Sequence, residues 1–224
     1  GGFSPFNDSV AHFNSPLIEG VLIVFMILSS ANFSIYVAAW RKGARVIFRD
    51  TEFRLYVAMV LGATVLMSLN LIYGASYDSL EAVRESFFQA ASISSSTGFV
   101  SADFDQWPSF SKGILLLLMF CGGCAGSTAG GLKITRLMLL IKTMHSVVWQ
   151  KLSPRSVVQV HANGEEYNEE ILYGVARFFV AYAILDVLWT VLFIGDGVPT
   201  LDAIGLSVST MGSCGPAFGS VGPT

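Results

Sequence analysis

The sequence predicts an all-α integral membrane protein made of repeated modules of helix, pore loop and helix, with re-entrant half-helices. Three observations lead there. The first is composition: 53% of residues are hydrophobic and only 13% charged, with a mean hydropathy of +0.60, whereas a soluble domain has about a quarter of its residues charged. The second is a pair of uncharged runs, 21 residues between Glu19 and Arg41 and 23 between Arg54 and Asp78; about 20 helical residues cross a hydrocarbon core. The third is the polar segment SISSSTGFVSADFDQWP, Ser92 to Pro108, set between long apolar runs, with segments of similar order near both ends of the chain.

Taken in order, the chain opens on GGFSPFNDSV, without a Met or a basic signal region, and reads as a fragment. Two spans are expected at residues 20–40 and 55–77. A third lies between Lys112 and Lys133, with a glycine-rich second half, and a fourth at 178–195 is interrupted only by Asp186. A net charge of −3 and a pI near 5.6 speak against a nucleic-acid partner; the expected partner surface is the lipid bilayer. Ten of the 13 basic residues fall in two loops: Arg41, Lys42, Arg45, Arg49 and Arg54 after the first span, and Lys133, Arg136, Lys142, Lys151 and Arg155 after the third. The positive-inside rule makes both loops cytoplasmic, which leaves 1–16, 77–112 and 195–224 outside.

Within the outer segment, Asp78 followed by Glu81 resembles a capping box, and Ala82, Phe87, Phe88, Ala90 and Ala91 supply an apolar side. The helix should end near Ser94. A helix of about 12 to 15 residues covers only roughly 20 Å, so it enters the membrane and must return, as a re-entrant loop. The same order of short helix, glycine turn and polar tail recurs, and the glycines align as Gly2, Gly98 and Gly215, spaced 96 and 117 residues apart. Each half-helix would aim its partially negative C-terminal end at the membrane centre. The glycine then permits a turn that exposes carbonyl oxygens, which replace the hydration shell of a cation. Such backbone is tolerated at membrane depth where it lines a watery cavity or is buried in protein. The alternative is an extracellular loop with a serine-rich turn.

STGF followed by Trp107 and Pro108, then GGCAGSTAGGLKITRLMLL, LSPRSV and CGPAFG, resembles the Trk/Ktr/HKT superfamily of potassium transporters, and within it the bacterial TrkH-type pore subunits. The likeness runs along essentially the whole chain. It implies four modules around one pore. Residues 1–52 would hold the end of the second module, 53–165 the third, and 166–224 the fourth up to its filter. By the same resemblance the second filter strand is Gly1, Gly2 and Phe3, the third Ser96, Thr97, Gly98 and Phe99, and the fourth Ser213, Cys214 and Gly215. It further implies uptake of potassium ion across a bacterial inner membrane, a homodimer, and a cytoplasmic nucleotide-binding ring subunit as regulator. A sodium-permeable member of the same family is the alternative, because the first filter strand lies outside this chain.

The run from Cys121 to Gly131 admits several readings. Cys121 and Cys124 form a C-x-x-C, but further metal ligands are scattered at Cys214, His12, His145 and His161. Gly122, Gly126 and Gly130 make a small-residue ladder of the kind that packs helices closely. Five glycines in eleven residues instead favour a break in the helix. The resemblance makes that break an intramembrane gate loop of Gly122, Gly123, Cys124, Ala125, Gly126, Ser127, Thr128, Ala129, Gly130 and Gly131. Asp186 departs from the family pattern. It is expected to reach water at the outer leaflet or to face a subunit, with Tyr182 or Thr190 in hydrogen-bonding reach one turn away and a pore-lining role as the alternative. The linker HANGEEYNEE, His161 to Glu170, reads as a solvated turn. An enzyme is not expected, since no H-E-x-x-H and no paired aspartates within helical reach are present. A secondary transporter of an anionic solute would aim half-helix N-termini, not C-termini, at its substrate.

Overall fold

The computed structural model describes residues 2–152, 161–162, 165–219 and 222. Gly1 of the expected second filter strand and Ser153 to Val157 of LSPRSV, with Arg155, lie outside the described residues. The helices follow the apolar runs, and their ends follow caps. A 3-10 turn, Ser9–Phe13, precedes α1 (Pro16–Ser29), which starts on a proline, where the missing amide has no helical partner to lose. After α2 (Phe33–Lys42) and a short α3 (Arg45–Arg49), Asp50 accepts from the Phe53 N–H at 2.7 Å and starts α4 (Thr51–Ala75). Asp78 caps α5 (Ser79–Ser94) by accepting from the Leu80 N–H at 3.1 Å, and this helix ends where the sequence places its end. A second 3-10 turn, Phe104–Gln106, leads into α6 (Ser109–Cys121). The chain continues as an irregular loop over 122–133, α7 (Ile134–Leu152), α8 (Glu169–Gly195) and α9 (Thr200–Met211). Among the described residues the architecture is all-α apart from one pair of two-residue strands.

Two of the described helices, α4 and α8, are long and apolar enough to cross a membrane. α4 buries Phe53, Tyr56, Val60, Met67 and Leu71 at helical spacing, while Leu55, Leu61, Val65, Leu66 and Leu69 stay exposed on its other sides. That is what a helix with protein on one face and hydrocarbon on the others requires. α8 exposes Ile184, Leu185, Val187, Leu188, Val191 and Leu192 in the same way. The half-helix α5 sits at the centre, packed on α1, α4 and α6, with Ala82, Phe88, Ala90, Ala91 and Ile93 fully buried. Arg84 on α5 lies 3.2 Å from the buried carboxylate of Glu19 on α1.

The single span expected over residues 20–40 is corrected: it is two helices, α1 and α2, bent by 89°. Its hydropathy suffices, but the hydroxyls of Ser29 and Ser30 donate back to the Met26 carbonyl, each at 2.9 Å, and Asn32 opens a new helix by accepting from the Ser34 N–H at 2.9 Å. Such side-chain bonds offer the backbone an alternative to continuing the helix. α8 begins at Glu169, earlier than the apolar run, because acids suit a first helical turn. Within the linker expected to be a solvated turn, β1 (His161–Ala162) pairs antiparallel with β2 (Glu165–Glu166).

Candidate functional site

The two complete half-helices end in the same hydrogen-bonded turn. After α5 the Thr97 N–H donates to the Ser92 carbonyl at 3.0 Å, and the Ser92 hydroxyl donates to the Phe99 carbonyl at 2.7 Å. After α9 the Cys214 N–H donates to the Ser209 carbonyl at 2.9 Å, and the Ser209 hydroxyl donates to the Pro216 carbonyl at 2.7 Å. Ser96 and Ser213 adopt φ of 56° and 55°, and Gly98 and Gly215 adopt 75° and 104°. Every member of the second turn lies 117 residues after its counterpart in the first, the offset at which the sequence aligns the two glycines. A serine two residues before each helix end is what closes the turn: it accepts at its backbone and donates from its side chain.

These turns meet each other and the start of the chain. The Gly2 N–H donates to the Thr97 carbonyl at 2.8 Å, with Gly2 at φ 66°. A Cβ on Gly98 would lie 1.9 Å from the Cys214 carbonyl oxygen and 2.8 Å from the Gly2 nitrogen, so only glycine fits where the three strands converge. Beside this point a cleft of about 310 Å³ is lined by Gly2, Phe3, Ser4, Gly98, Gly215 and Pro216, among others. The tails beyond the glycines are also tied together: Val100 donates to the Ser9 hydroxyl at 3.1 Å, and its carbonyl accepts from Val10 and Ala11. Asp105, 3.0 Å from Lys112, also accepts from the Gly219 N–H and so ties the segment after Gly98 to the one after Gly215. Burial works against its charge, but Lys112 and the Gly219 N–H outweigh that and hold its carboxyl below the ordinary carboxylate range.

The glycine-rich run is a loop, so Gly122, Gly126 and Gly130 do not form a helix-packing ladder. It leaves α6 and returns to the same place, with Leu132 and Lys133 donating to the carbonyls of Phe120 and Cys121 at 3.1 and 3.0 Å. Between those ends it fills the break in the α1–α2 run. The Cys124 N–H donates to the Ser30 carbonyl at 3.0 Å, the Thr128 hydroxyl to the Ser29 carbonyl at 3.2 Å, and the Phe33 N–H to the Gly126 carbonyl at 3.2 Å. Groups freed by the break are thus satisfied within protein, as membrane depth demands. Its upper limb touches the base of the converging strands: the Gly130 N–H donates to the Ser96 hydroxyl at 2.9 Å. A Cβ on Gly130 would lie 2.1 Å from the Gly212 carbonyl oxygen at the end of α9.

Two partners of the loop are not legible in the sequence. The Ala125 N–H donates to the Glu52 carboxylate at 2.5 Å, and the Lys133 ammonium donates to the carbonyls of Ser127 and Ala129. Glu52 reads as an ordinary acid in a first helical turn, and 73 residues separate it from Ala125. Asp186 has a further partner that the sequence does not offer. Its carboxylate accepts from Ser207 on α9 at 2.7 Å, not from Tyr182, while Thr190 donates to its backbone carbonyl at 2.9 Å. It therefore braces the second half-helix. Cys121, Cys124 and Cys214 are free thiols, and among the described residues no group of three or more His, Cys, Asp or Glu is placed to hold a metal ion.

The comparisons agree with this geometry. The family model described as TrkH, cation transport protein, matches residues 1–224. The Trk system potassium uptake protein TrkH of Salmonella typhimurium is 34% identical over 223 residues, 99% of this chain and 46% of that protein. The Trk system potassium uptake protein TrkG of Escherichia coli is 31% identical over 221 residues, covering 98% and 46%. The crystal structure of the potassium transporter TrkH from Vibrio parahaemolyticus superposes with a TM-score of 0.91 at 32% identity, over 99% of this chain and 48% of that one. The chain spans about half the length of the relatives it matches. Transport of cations, not catalysis, is what this family's description states, and the chain, matched from end to end, belongs to the TrkH family of cation transport proteins.

Proposed function

We propose that the chain forms three walls of a four-walled potassium pore in a bacterial inner membrane, with strands at Gly2, Gly98 and Gly215 as its filter and the loop over 122–131 as its gate. The observation that carries this reading is the repeated Ser-x-Gly turn at the C-terminal ends of α5 and α9. Two half-helix ends of partially negative character meet there, in the arrangement that favours a cation. The rival reading, a carrier of an anionic solute, needs a free half-helix N-terminus. At the break, the α2 N-terminus is occupied by the Asn32 side chain and the Gly126 carbonyl. Three modules follow from this reading, divided at residues 52 and 165, and the loop sits beneath the filter in its closed position. By the family likeness the whole protein works as a homodimer with a cytoplasmic nucleotide-binding ring subunit. The test is rubidium and sodium uptake by the full-length protein in cells lacking their own potassium uptake. Rubidium uptake well above sodium is expected. Sodium uptake equal to or above that of rubidium would favour the sodium-permeable form, and no uptake of either would sink the pore reading.

A further inference from the structure

We propose that Glu52 is the latch of the gate loop, a positioning residue that holds the loop closed through one backbone amide. The proposal rests on the gate reading above. Glu52 lies in the first turn of α4 and is only 4% exposed, yet that helix start does not need it, because Asp50 already caps it. Its carboxylate instead leaves its own helix and accepts from the Ala125 N–H at 2.5 Å. A buried carboxylate needs such a partner to be tolerated at all.

The partner sits at a decisive place. Cys124, Ala125 and Gly126 are three consecutive residues, each tied to a different group: Cys124 to the Ser30 carbonyl, Ala125 to Glu52, and Gly126 to the Phe33 amide. The first and third are neutral bonds across the α1–α2 break. The bond to Glu52 is charge-assisted, and such bonds are roughly twice as strong as neutral ones. On the other limb Gly130 holds the Ser96 hydroxyl under the filter. The loop is therefore stretched between the filter above and the start of α4 below, and leaving the pore axis means breaking the Glu52 bond. Lys133 draws the Ser127 and Ala129 carbonyls of the same loop together, so that the loop moves as a body.

Residues 124–127 also supply a clean way to remove the donor. The Ser127 N–H donates to the Cys124 carbonyl at 3.3 Å, and Gly126, third in the turn, has φ 68°. That is the pattern of a type II turn, in which proline is common at the second position, here Ala125. The experiment measures rubidium and sodium uptake by the full-length protein in cells lacking their own potassium uptake, normalised to protein in the membrane. Glu52→Ala should raise basal rubidium uptake about tenfold, equivalent to about 1.4 kcal/mol, with the rubidium-to-sodium ratio unchanged. Glu52→Gln, which keeps an accepting oxygen without the charge, should fall between. Ala125→Pro should match Glu52→Ala, and the double variant should add nothing to either. Additive effects, a changed ion ratio, or unchanged or reduced uptake at normal membrane levels would overturn the latch. If Glu52→Ala does not reach the membrane, the pair Glu52→Gln and Ala125→Pro decides by the same criteria. Gly126→Ala separates the two levels of the argument. If it alters uptake while the Glu52 and Ala125 variants do not, the gate stands and the latch falls; if none of them alters uptake, both fall.

Discussion

At Gly98 a single hydrogen atom separates an open arrangement from a collision. A side chain there would have to adopt φ 75°, at roughly 1 to 2 kcal/mol for a non-glycine residue, and its Cβ would overlap the Cys214 carbonyl. Gly98→Ser is therefore expected to lower the preference for rubidium over sodium, while membrane insertion stays near normal because no span is touched. An unchanged ratio with normal flux would make Gly98 an ordinary loop glycine. Asp186 illustrates a different kind of residue. Ser207 donates both to its carboxylate, at 2.7 Å, and to its backbone carbonyl, at 2.8 Å. Asp186→Ala removes only one of two acceptors, so it should cost about 1 kcal/mol of stability, seen as a lower melting temperature of the full-length protein in detergent, and leave ion preference within about twofold. A tenfold change in preference would place Asp186 on the ion path instead. Asp105 brings no pH dependence near neutrality. Its carboxyl is held below the ordinary range, so its bridge between the two strand tails is present above the unfolded-state value of about 4 and is lost only as pH falls through the lower folded value. Ion preference should hold from pH 7 to 5, and Asp105→Asn should not change that profile.

The elements that matter most are the two interruptions, and they complete one another. The serines and Asn32 break the first span, and the glycine-rich loop takes up the backbone groups that the break releases. The loop's glycines are accordingly not equivalent. Gly126 abuts the Asn32 side chain, whose Oδ1 would lie 2.9 Å from an added Cβ; Gly130 abuts the backbone of Gly212, just after α9. Gly126→Ala should change flux several-fold with the ion ratio preserved, whereas Gly130→Ala should change both, because it pushes on the end of α9. Equal behaviour of the two variants in paired uptake assays would contradict this division. The sequence favours a break in the helix there, from five glycines in eleven residues, and leaves the helix-packing ladder as the alternative that the structure removes. It does not show that residues 20–40 are broken, since two serines and an asparagine scarcely lower the hydropathy of the run.

Across the whole molecule, sidedness is the property most exposed to a test. A reporter fused after Arg45 or after Lys151 should behave as cytoplasmic and one inserted near Asp105 as external; an external result at either basic loop would mean that α5 crosses fully and would overturn the re-entrant reading. Whereas the span expected between Lys112 and Lys133 is the 13-residue α6 followed by the glycine-rich loop, membrane residence, the two spans at α4 and α8, the half-helix ending at Ser94 and the alignment of Gly98 with Gly215 were determined by the sequence itself. Each is a local sum or a local pattern: hydropathy over some 20 residues, a cap followed by an apolar side, or a glycine after a hydroxyl run. Only the tertiary structure decided that Gly2, Gly98 and Cys214 meet within a few ångströms, that Asp186 holds Ser207, and that Glu52 holds the amide of Ala125. The physical reason is that these are single bonds or contacts between groups far apart in the chain, 21 residues for Asp186 and Ser207 and 73 for Glu52 and Ala125. Each side has a complete local explanation, as helix acid, turn residue or span carboxylate, so nothing along the chain marks one as the partner of the other.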